Sequence, residues 1–109
     1  MNQHAAIPAV FYPATTHLAV FDSEGPRPQF LVDGEKLKVL VVGLEQGQQI
    51  PAHPETLAIY HFLSGAGVMS VDGEDFAVSA GATVIAPANT ARGIRAHSRL
   101  VFLAARAGA

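Results

Sequence analysis

The sequence contains no cysteine, so it can form neither a disulfide framework nor a thiolate zinc site. Charged residues are also scarce: they make up 15% of the chain, against about 25% in a typical soluble domain. So few charges cannot cover the surface of a small monomer, and we expect a second copy to bury part of its apolar surface in a homodimer. The net charge of −2 argues against a nucleic-acid partner or an anionic membrane surface.

Long apolar runs and helical periodicity are missing as well. No run approaches the roughly 18 residues of a membrane span, and the first residues lack the basic, then apolar, pattern of a signal peptide. A soluble cytoplasmic protein is therefore expected. No helical period of apolar residues holds for three turns, and no Ser-His-Asp set, nucleophile elbow or phosphate loop is present. The length of 109 residues suits one domain.

The chain instead offers many short apolar segments separated by turn residues. The dipeptides Asp33-Gly34 and Asp72-Gly73 tolerate the positive φ angles of tight hairpin turns. This pattern predicts an all-β sandwich or barrel with little or no helix. The predicted strands cover residues 17–21, 29–32, 37–44, 57–63, 68–71, 76–78, 82–86, 90–96 and 100–105, with a further short strand after Gly47.

The domain organisation follows from the proline-containing start of the chain. Residues 1–14 contain Pro8 and Pro13 and show little periodicity, which predicts an extended arm lying on a surface. Residues 15–109 then form a single barrel domain. Residues 39–42 and 100–103 are apolar on both strand faces, which indicates that both faces are covered. A second subunit is the expected cover.

Two segments organise the expected site. Residues 47–53 and 81–92 each contain a glycine turn, a short apolar strand and a polar or charged residue at its far end. Those ends are His53 and Arg92, and they would form a pocket if they met across a barrel. In these glycines, in Pro87 and in the turn around Gly65, the chain resembles the cupin superfamily over residues 37–105. The resemblance is to small, RmlC-like single-domain cupins and implies a double-stranded β-helix, or jelly roll.

The resemblance to the family's metal motif is degenerate. The family binds one divalent metal through two histidines, a glutamate and a third histidine. Here His53 matches the first histidine, whereas Glu55, Ala58 and Arg92 occupy the other three positions; aligning His53 as the second histidine instead would displace Gly47. A divalent ion needs about three or four neutral imidazole or carboxylate ligands, and an arginine would repel it. A metal cofactor therefore remains an alternative, and no residue is assigned as a metal ligand.

The expected pocket residues come from the same segments and from the strand between them. The period of two places Tyr60 and Phe62 on one strand face, and the resemblance implies that this face lines the barrel. The Tyr60 hydroxyl can donate a hydrogen bond or take part in proton transfer. Arg92 is expected to bind an anion, with Glu55 or a ligand acid as its partner; a salt-bridged position at the rim is the alternative. The predicted ligand-binding residues are His53, Glu55, Tyr60, Phe62 and Arg92.

Three functions stay open from these residues. The first is a metal-free pocket for a small carboxylate or phosphate, with or without catalysis. The resemblance to metal-free sugar-nucleotide epimerases of the superfamily implies His53 as catalytic base and Tyr60 as catalytic acid in that case. The second is a metal-dependent enzyme, such as a dioxygenase, with an incomplete ligand set of His53, Glu55 and water. The third is a non-enzymatic sensor or a structural dimer.

Overall fold

The computed structural model describes residues 8–108 and contains two antiparallel sheets. A 3-10 helix, Thr15–Leu18, precedes strands β1 to β9, whose bounds are Gln29–Asp33, Leu37–Leu44, Gln49–Pro54, Ala58–Ser64, Ala66–Val71, Glu74–Ser79, Thr83–Ala86, Ala91–Ala96 and Leu100–Ala107. One sheet has the order β1-β2-β9-β4-β7, and the other has the order β3-β8-β5-β6. This is the jelly-roll barrel that the sequence predicts. Within residues 8–108, no helix is long and apolar enough to span a membrane.

Strand register determines which side chains face the space between the sheets. In the five-stranded sheet, Ala104 pairs with both Leu40 and Tyr60, and Phe102 pairs with both Val42 and Phe62. Directly paired residues point to the same side of a sheet, so these side chains form one inner row. Together with apolar residues of the four-stranded sheet they form the core; the largest contributions from that second sheet are Met69, Val78 and Ile94.

The outer face of the five-stranded sheet is covered in part by the segment that precedes β1. Val41 and Val101 point outward and are nevertheless buried. A Cβ added at Gly43 would lie 3.0 Å from the Phe21 ring and from the Val20 carbonyl oxygen, so this segment rests directly on β2. The predicted strand over residues 17–21 is wrong, because the segment packs on the face of the sheet and joins neither of the two described sheets.

The rest of that outer face is apolar and exposed. Leu37, Leu57, Ile59 and Ile85 each leave close to half or more of their surface to solvent in the single chain. This is the surface that a second copy would cover, and the homodimer stays a prediction. Of the predicted arm, residues 1–7 lie outside the described residues. Residues 8–14 contain no strand or helix, and Phe11 is exposed.

The two Asp-Gly dipeptides differ in the turns they make. Asp72 and Gly73 both have positive φ, at 48° and 85°, and they form the two-residue turn between β5 and β6 that was predicted. Asp33, by contrast, ends β1 as a paired strand residue, and residues 34–36 make the turn into β2. The hairpin prediction is confirmed there, whereas the tight two-residue turn is not formed.

Candidate functional site

A cavity of about 200 Å³ lies inside the barrel and receives residues from both sheets. Its walls are mostly apolar and include Leu40, Val42, Ile50, Ile94 and Phe102. Four residues contribute polar groups: His53 from β3, Tyr60 from β4, Arg92 from β8 and Arg106 from β9. The cavity thus has mainly apolar walls and a few polar side chains, which is the usual composition of a small-molecule site.

His53 and Arg92 are direct cross-strand partners in the four-stranded sheet. The two polar ends therefore meet side by side within one sheet and not across the barrel. His53 is exposed as a whole residue and also contributes to the cavity wall. Its Nδ1 lies 3.0 Å from the Pro51 carbonyl oxygen. A carbonyl oxygen only accepts hydrogen bonds, so Nδ1 carries a proton. In the neutral ring, Nε2 is then the free nitrogen that can accept a proton or a hydrogen bond.

Arg92 is 1% exposed and connects two loops through its guanidinium group. Its Nη1 donates to the Thr56 carbonyl oxygen at 2.6 Å, and its Nη2 lies within hydrogen-bond distance of the Glu55 and Pro87 carbonyl oxygens and of Thr90 Oγ1. Its Nε donates to the Thr90 carbonyl oxygen at 3.2 Å. Four of the five N–H groups of the guanidinium are therefore engaged by protein oxygens. The anion-binding role of Arg92 stays a prediction, with one Nη1 hydrogen left for it.

Glu55 does not pair its carboxylate with Arg92. Its Oε2 accepts a hydrogen bond from Arg106 Nη1 at 2.9 Å, and its Oε1 accepts one from the Thr56 backbone N–H at 3.1 Å. Glu55 lines a second hollow at the end of the barrel, which it shares with Arg106. The glutamate therefore lies beside the cavity, in the second hollow, and only its backbone carbonyl contacts Arg92.

Arg106 is the cavity residue that sequence reasoning missed. The predicted strand ended at Ala105, whereas β9 continues to Ala107 and pairs Arg106 with Ala58 of β4. Residues 102, 104 and 106 share a face by the period of two, so Arg106 follows Phe102 and Ala104 into the barrel. That alternation was the available signal, and extending the strand by two residues would have used it.

Tyr60 is a buried phenol on the inner face of β4, as predicted. It is 6% exposed and lines the cavity, and the Arg92 guanidinium carbon lies 6.0 Å from the centroid of its ring. Burial raises the pKa of Tyr60, and the nearby Arg92 and Arg106 guanidinium groups only partly oppose this. Tyr60 therefore remains a neutral hydrogen-bond donor throughout the ordinary pH range.

The raised pKa of Tyr60 predicts a loss of stability at alkaline pH. The folded protein holds this proton more tightly than the unfolded chain, so the contribution is complete below the ordinary tyrosine pKa of about 10 and is lost as pH rises toward the folded pKa. Urea denaturation at a series of pH values should show this loss in the unaltered protein and a smaller one in Tyr60→Phe. If both proteins lose stability in parallel above about pH 10, the shift is absent. The difference in their tyrosinate absorbance follows the same titration directly.

Phe62 lies on the inner face, as predicted, but it does not reach the cavity. Its side chain is fully buried, and its ring centroid lies 5.6 Å from that of Phe102. Phe102 and not Phe62 forms the cavity wall. Phe62 is thus a core residue that supports the wall from behind.

The residues at the site do not fit a divalent metal. Among the described residues, 8–108, no group of three or more His, Cys, Asp and Glu side chains is arranged to hold an ion. The Glu55 carboxylate is occupied by Arg106, and an ion beside His53 would face the positive charges of Arg92 and Arg106.

Comparisons with known proteins agree with this architecture. The family model described as "Cupin domain" matches residues 40–105. No curated protein matches the chain. A conserved protein of unknown function from Streptococcus pyogenes is similar in structure, with a TM-score of 0.83, 22% identity, and coverage of 99% of this chain and 98% of that one.

Two further structures are similar over most of their length. One is a protein from Thermus thermophilus, with a TM-score of 0.82, 23% identity, and coverage of 89% of this chain and 96% of that one. The other is an RmlC-like cupin from Desulfovibrio desulfuricans, with a TM-score of 0.74, 24% identity, and coverage of 98% and 96%. At these identities the similarity concerns the fold.

Proposed function

The chain belongs to the cupin family, and we propose that its barrel binds a small, largely apolar molecule carrying one anionic group, without a metal. The observation that supports this most directly is the charge of the cavity lining. Two guanidinium groups, those of Arg92 and Arg106, line it, and no carboxylate from the described part of the chain does. A low-dielectric cavity with an excess of positive charge favours an anion, because the interaction of opposite charges is stronger there than in water.

The size of the cavity limits the ligand. Sites for drug-sized molecules have volumes of about 300–1,000 Å³, whereas this cavity has about 200 Å³. Its walls are mainly aliphatic and aromatic side chains such as Val42, Ile50 and Phe102. The fitting class is therefore a small metabolite with a compact apolar body and a carboxylate or phosphate group.

Catalysis is a second candidate function, and one observation favours it. His53 and Tyr60 line the same cavity, and they provide a nitrogen that can accept a proton and a neutral phenol that can donate one. His53 as base could take a proton from a C–H bond of a bound acid, and Tyr60 as acid could give its phenolic proton back to the same carbon. Water then carries the proton from the imidazolium to the tyrosinate and restores both groups. An enzyme of this kind should exchange that hydrogen with deuterated water, and His53→Ala should abolish the exchange without abolishing binding.

A thermal-shift screen of small carboxylic and phosphorylated metabolites tests the binding proposal. A ligand at 100 times its Kd adds about 2.7 kcal/mol to the stability of the folded state. For a domain of this size, each kcal/mol raises the Tm by roughly 4–8 °C, so a fitting acid at that concentration should raise the Tm by roughly 10–20 °C. The neutral amide of each acid is the matched control, because it keeps the shape and removes the charge. Equal shifts for acid and amide, or no shift with any acid, would contradict the proposal. So would stoichiometric iron, manganese, nickel or zinc in protein purified without chelator.

A further inference from the structure

Arg106 lines both the interior cavity and the second hollow at the end of the barrel. About a quarter of its side-chain surface, 23%, is exposed. It is inward-facing because it follows Ala104 by two residues on β9 and pairs with Ala58 of β4 and Lys38 of β2. A ligand in the cavity can therefore contact an arginine that is also partly open to solvent.

The two arginines of the cavity differ in how many donors they retain. Arg92 uses four of its five N–H groups on protein oxygens. In the described part of the chain, Arg106 has one protein acceptor, Glu55 Oε2 at 2.9 Å. Four of its N–H groups therefore have no acceptor among residues 8–108, enough for the two parallel hydrogen bonds that a guanidinium makes with a carboxylate.

We propose that Arg106 binds the acid group of the ligand, that this group is a carboxylate, and that Glu55 lowers the affinity by competing for the same guanidinium. This inference rests on the proposed function. Glu55 already shows that a carboxylate fits against Arg106 in a partly buried position. A ligand carboxylate either shares the guanidinium with Glu55 or displaces it, and in both cases the glutamate charge opposes binding.

The charges around Arg106 favour a monoanion over a phosphate. Arg92, Arg106 and Glu55 together leave one net positive charge at this end of the cavity. The other cation of the second hollow, Lys38, is paired with Asp33, and Glu35 adds a further negative charge there. A carboxylate brings one negative charge, whereas a phosphate monoester brings about 1.5 to 2 at neutral pH. The second charge would have no partner among residues 8–108.

Calorimetric titration of four proteins with the same probes tests the inference. The probes are benzoate, butyrate, hexanoate, their amides and inorganic phosphate, and the proteins are the unaltered chain, Arg106→Gln, Arg106→Lys and Glu55→Gln. We expect Arg106→Gln to weaken carboxylate binding about tenfold or more, since hydrogen bonds to charged groups are the strong ones. Arg106→Lys should bind carboxylates more tightly than Arg106→Gln but less tightly than the unaltered protein, because lysine keeps the positive charge but cannot form two parallel hydrogen bonds. Glu55→Gln should tighten binding severalfold.

A matched ion pair outside the cavity provides the control. Arg99 and Glu45 form a pair with the same chemistry beyond the other end of β9, with an Nε–Oε1 distance of 2.9 Å. Arg99→Gln should change carboxylate affinity by less than about twofold. The thermal unfolding of each variant without ligand shows whether it is folded. If Arg106→Gln does not fold, the comparison of Arg106→Lys with the unaltered protein still tests the inference.

The outcomes separate this inference from the proposed function. If no carboxylate binds the unaltered protein, both are overturned. If carboxylates bind it and Arg106→Gln equally well, only the inference fails. Tighter binding of phosphate than of the carboxylates, or weaker carboxylate binding in Glu55→Gln, would also overturn the inference and leave an anion site in place.

Discussion

Replacing Arg92 by alanine is expected to lower the free energy of unfolding by about 2–6 kcal/mol. The guanidinium is 1% exposed and hydrogen-bonds three carbonyl oxygens, those of Glu55, Thr56 and Pro87, as well as both oxygens of Thr90. Alanine would leave the Thr56 and Thr90 carbonyl oxygens without donors, whereas those of Glu55 and Pro87 keep the Asn89 N–H and the Thr90 hydroxyl. Each buried unsatisfied polar group costs about 1–3 kcal/mol. Urea denaturation followed by circular dichroism measures the difference.

Arg95 on the same strand provides the control for Arg92. It is exposed, so Arg95→Ala should change the free energy of unfolding by no more than about 0.5 kcal/mol. Arg92→Lys should retain only part of the stability that Arg92→Ala loses, since one ammonium group cannot reach all the oxygens that the planar guanidinium contacts. A loss below about 1 kcal/mol in Arg92→Ala would show that water replaces the guanidinium and that the loops do not depend on it.

The position of Arg92 explains why an arginine can stand where the family resemblance implies a metal-binding histidine. The residue ties the loop that contains Glu55 and Thr56 to the loop that contains Pro87 and Thr90. Asn89, whose φ is 67°, also connects these loops, because its backbone N–H donates a hydrogen bond to the Glu55 carbonyl oxygen at 2.8 Å. The two segments that carry the family signatures are thus held together by side-chain and backbone donors.

Much of the fold could be predicted because its signals are local. The period of two and the turn residues are properties of neighbouring positions, so each of the strands β1 to β9 overlaps a segment that the sequence predicts as a strand. The strand predicted over residues 17–21 is wrong for a tertiary reason. The segment is apolar because Val20 and Phe21 pack on the sheet at Gly43, and not because it joins a sheet edge.

The sequence predicts which residues line the cavity better than it predicts which of them contact one another. His53, Tyr60 and Arg92 do line one cavity, since alternation and spacing fix the face of each strand. The partner of Glu55 could not be derived, because it depends on the register between β4 and β9, which places Arg106 opposite Ala58. Register between distant strands is set by the packing of the whole barrel, and a single sequence does not display it.

Phe62 shows the same limit at the level of one side chain. Alternation places Phe62 and Tyr60 on one face, but it does not tell how deep each lies along the barrel axis. Tyr60 reaches the cavity, whereas Phe62 packs against Phe102 where the core is filled. Depth depends on how the opposite sheet fills the interior, here with residues such as Met69, which is also fully buried.

Phe62→Ala is accordingly expected to lower the free energy of unfolding by about 3–5 kcal/mol while leaving ligand affinity nearly unchanged. The deleted ring would leave a void between Phe102 and the core, but the cavity lining would stay the same. Urea denaturation measures the stability, and titration with a bound carboxylate, at a temperature where the variant is folded, measures the affinity.

Phe30→Ala should give the opposite pattern, because Phe30 lines the cavity and is 48% exposed. Its loss should cost less stability than that of Phe62, since less apolar surface leaves the interior, and it should weaken binding by removing part of the wall. A large loss of affinity in Phe62→Ala with a small one in Phe30→Ala would place the ligand deeper in the barrel, against Phe62 itself. The expected reversal would instead fix the binding space at the end of the barrel that holds His53, Tyr60 and Arg106.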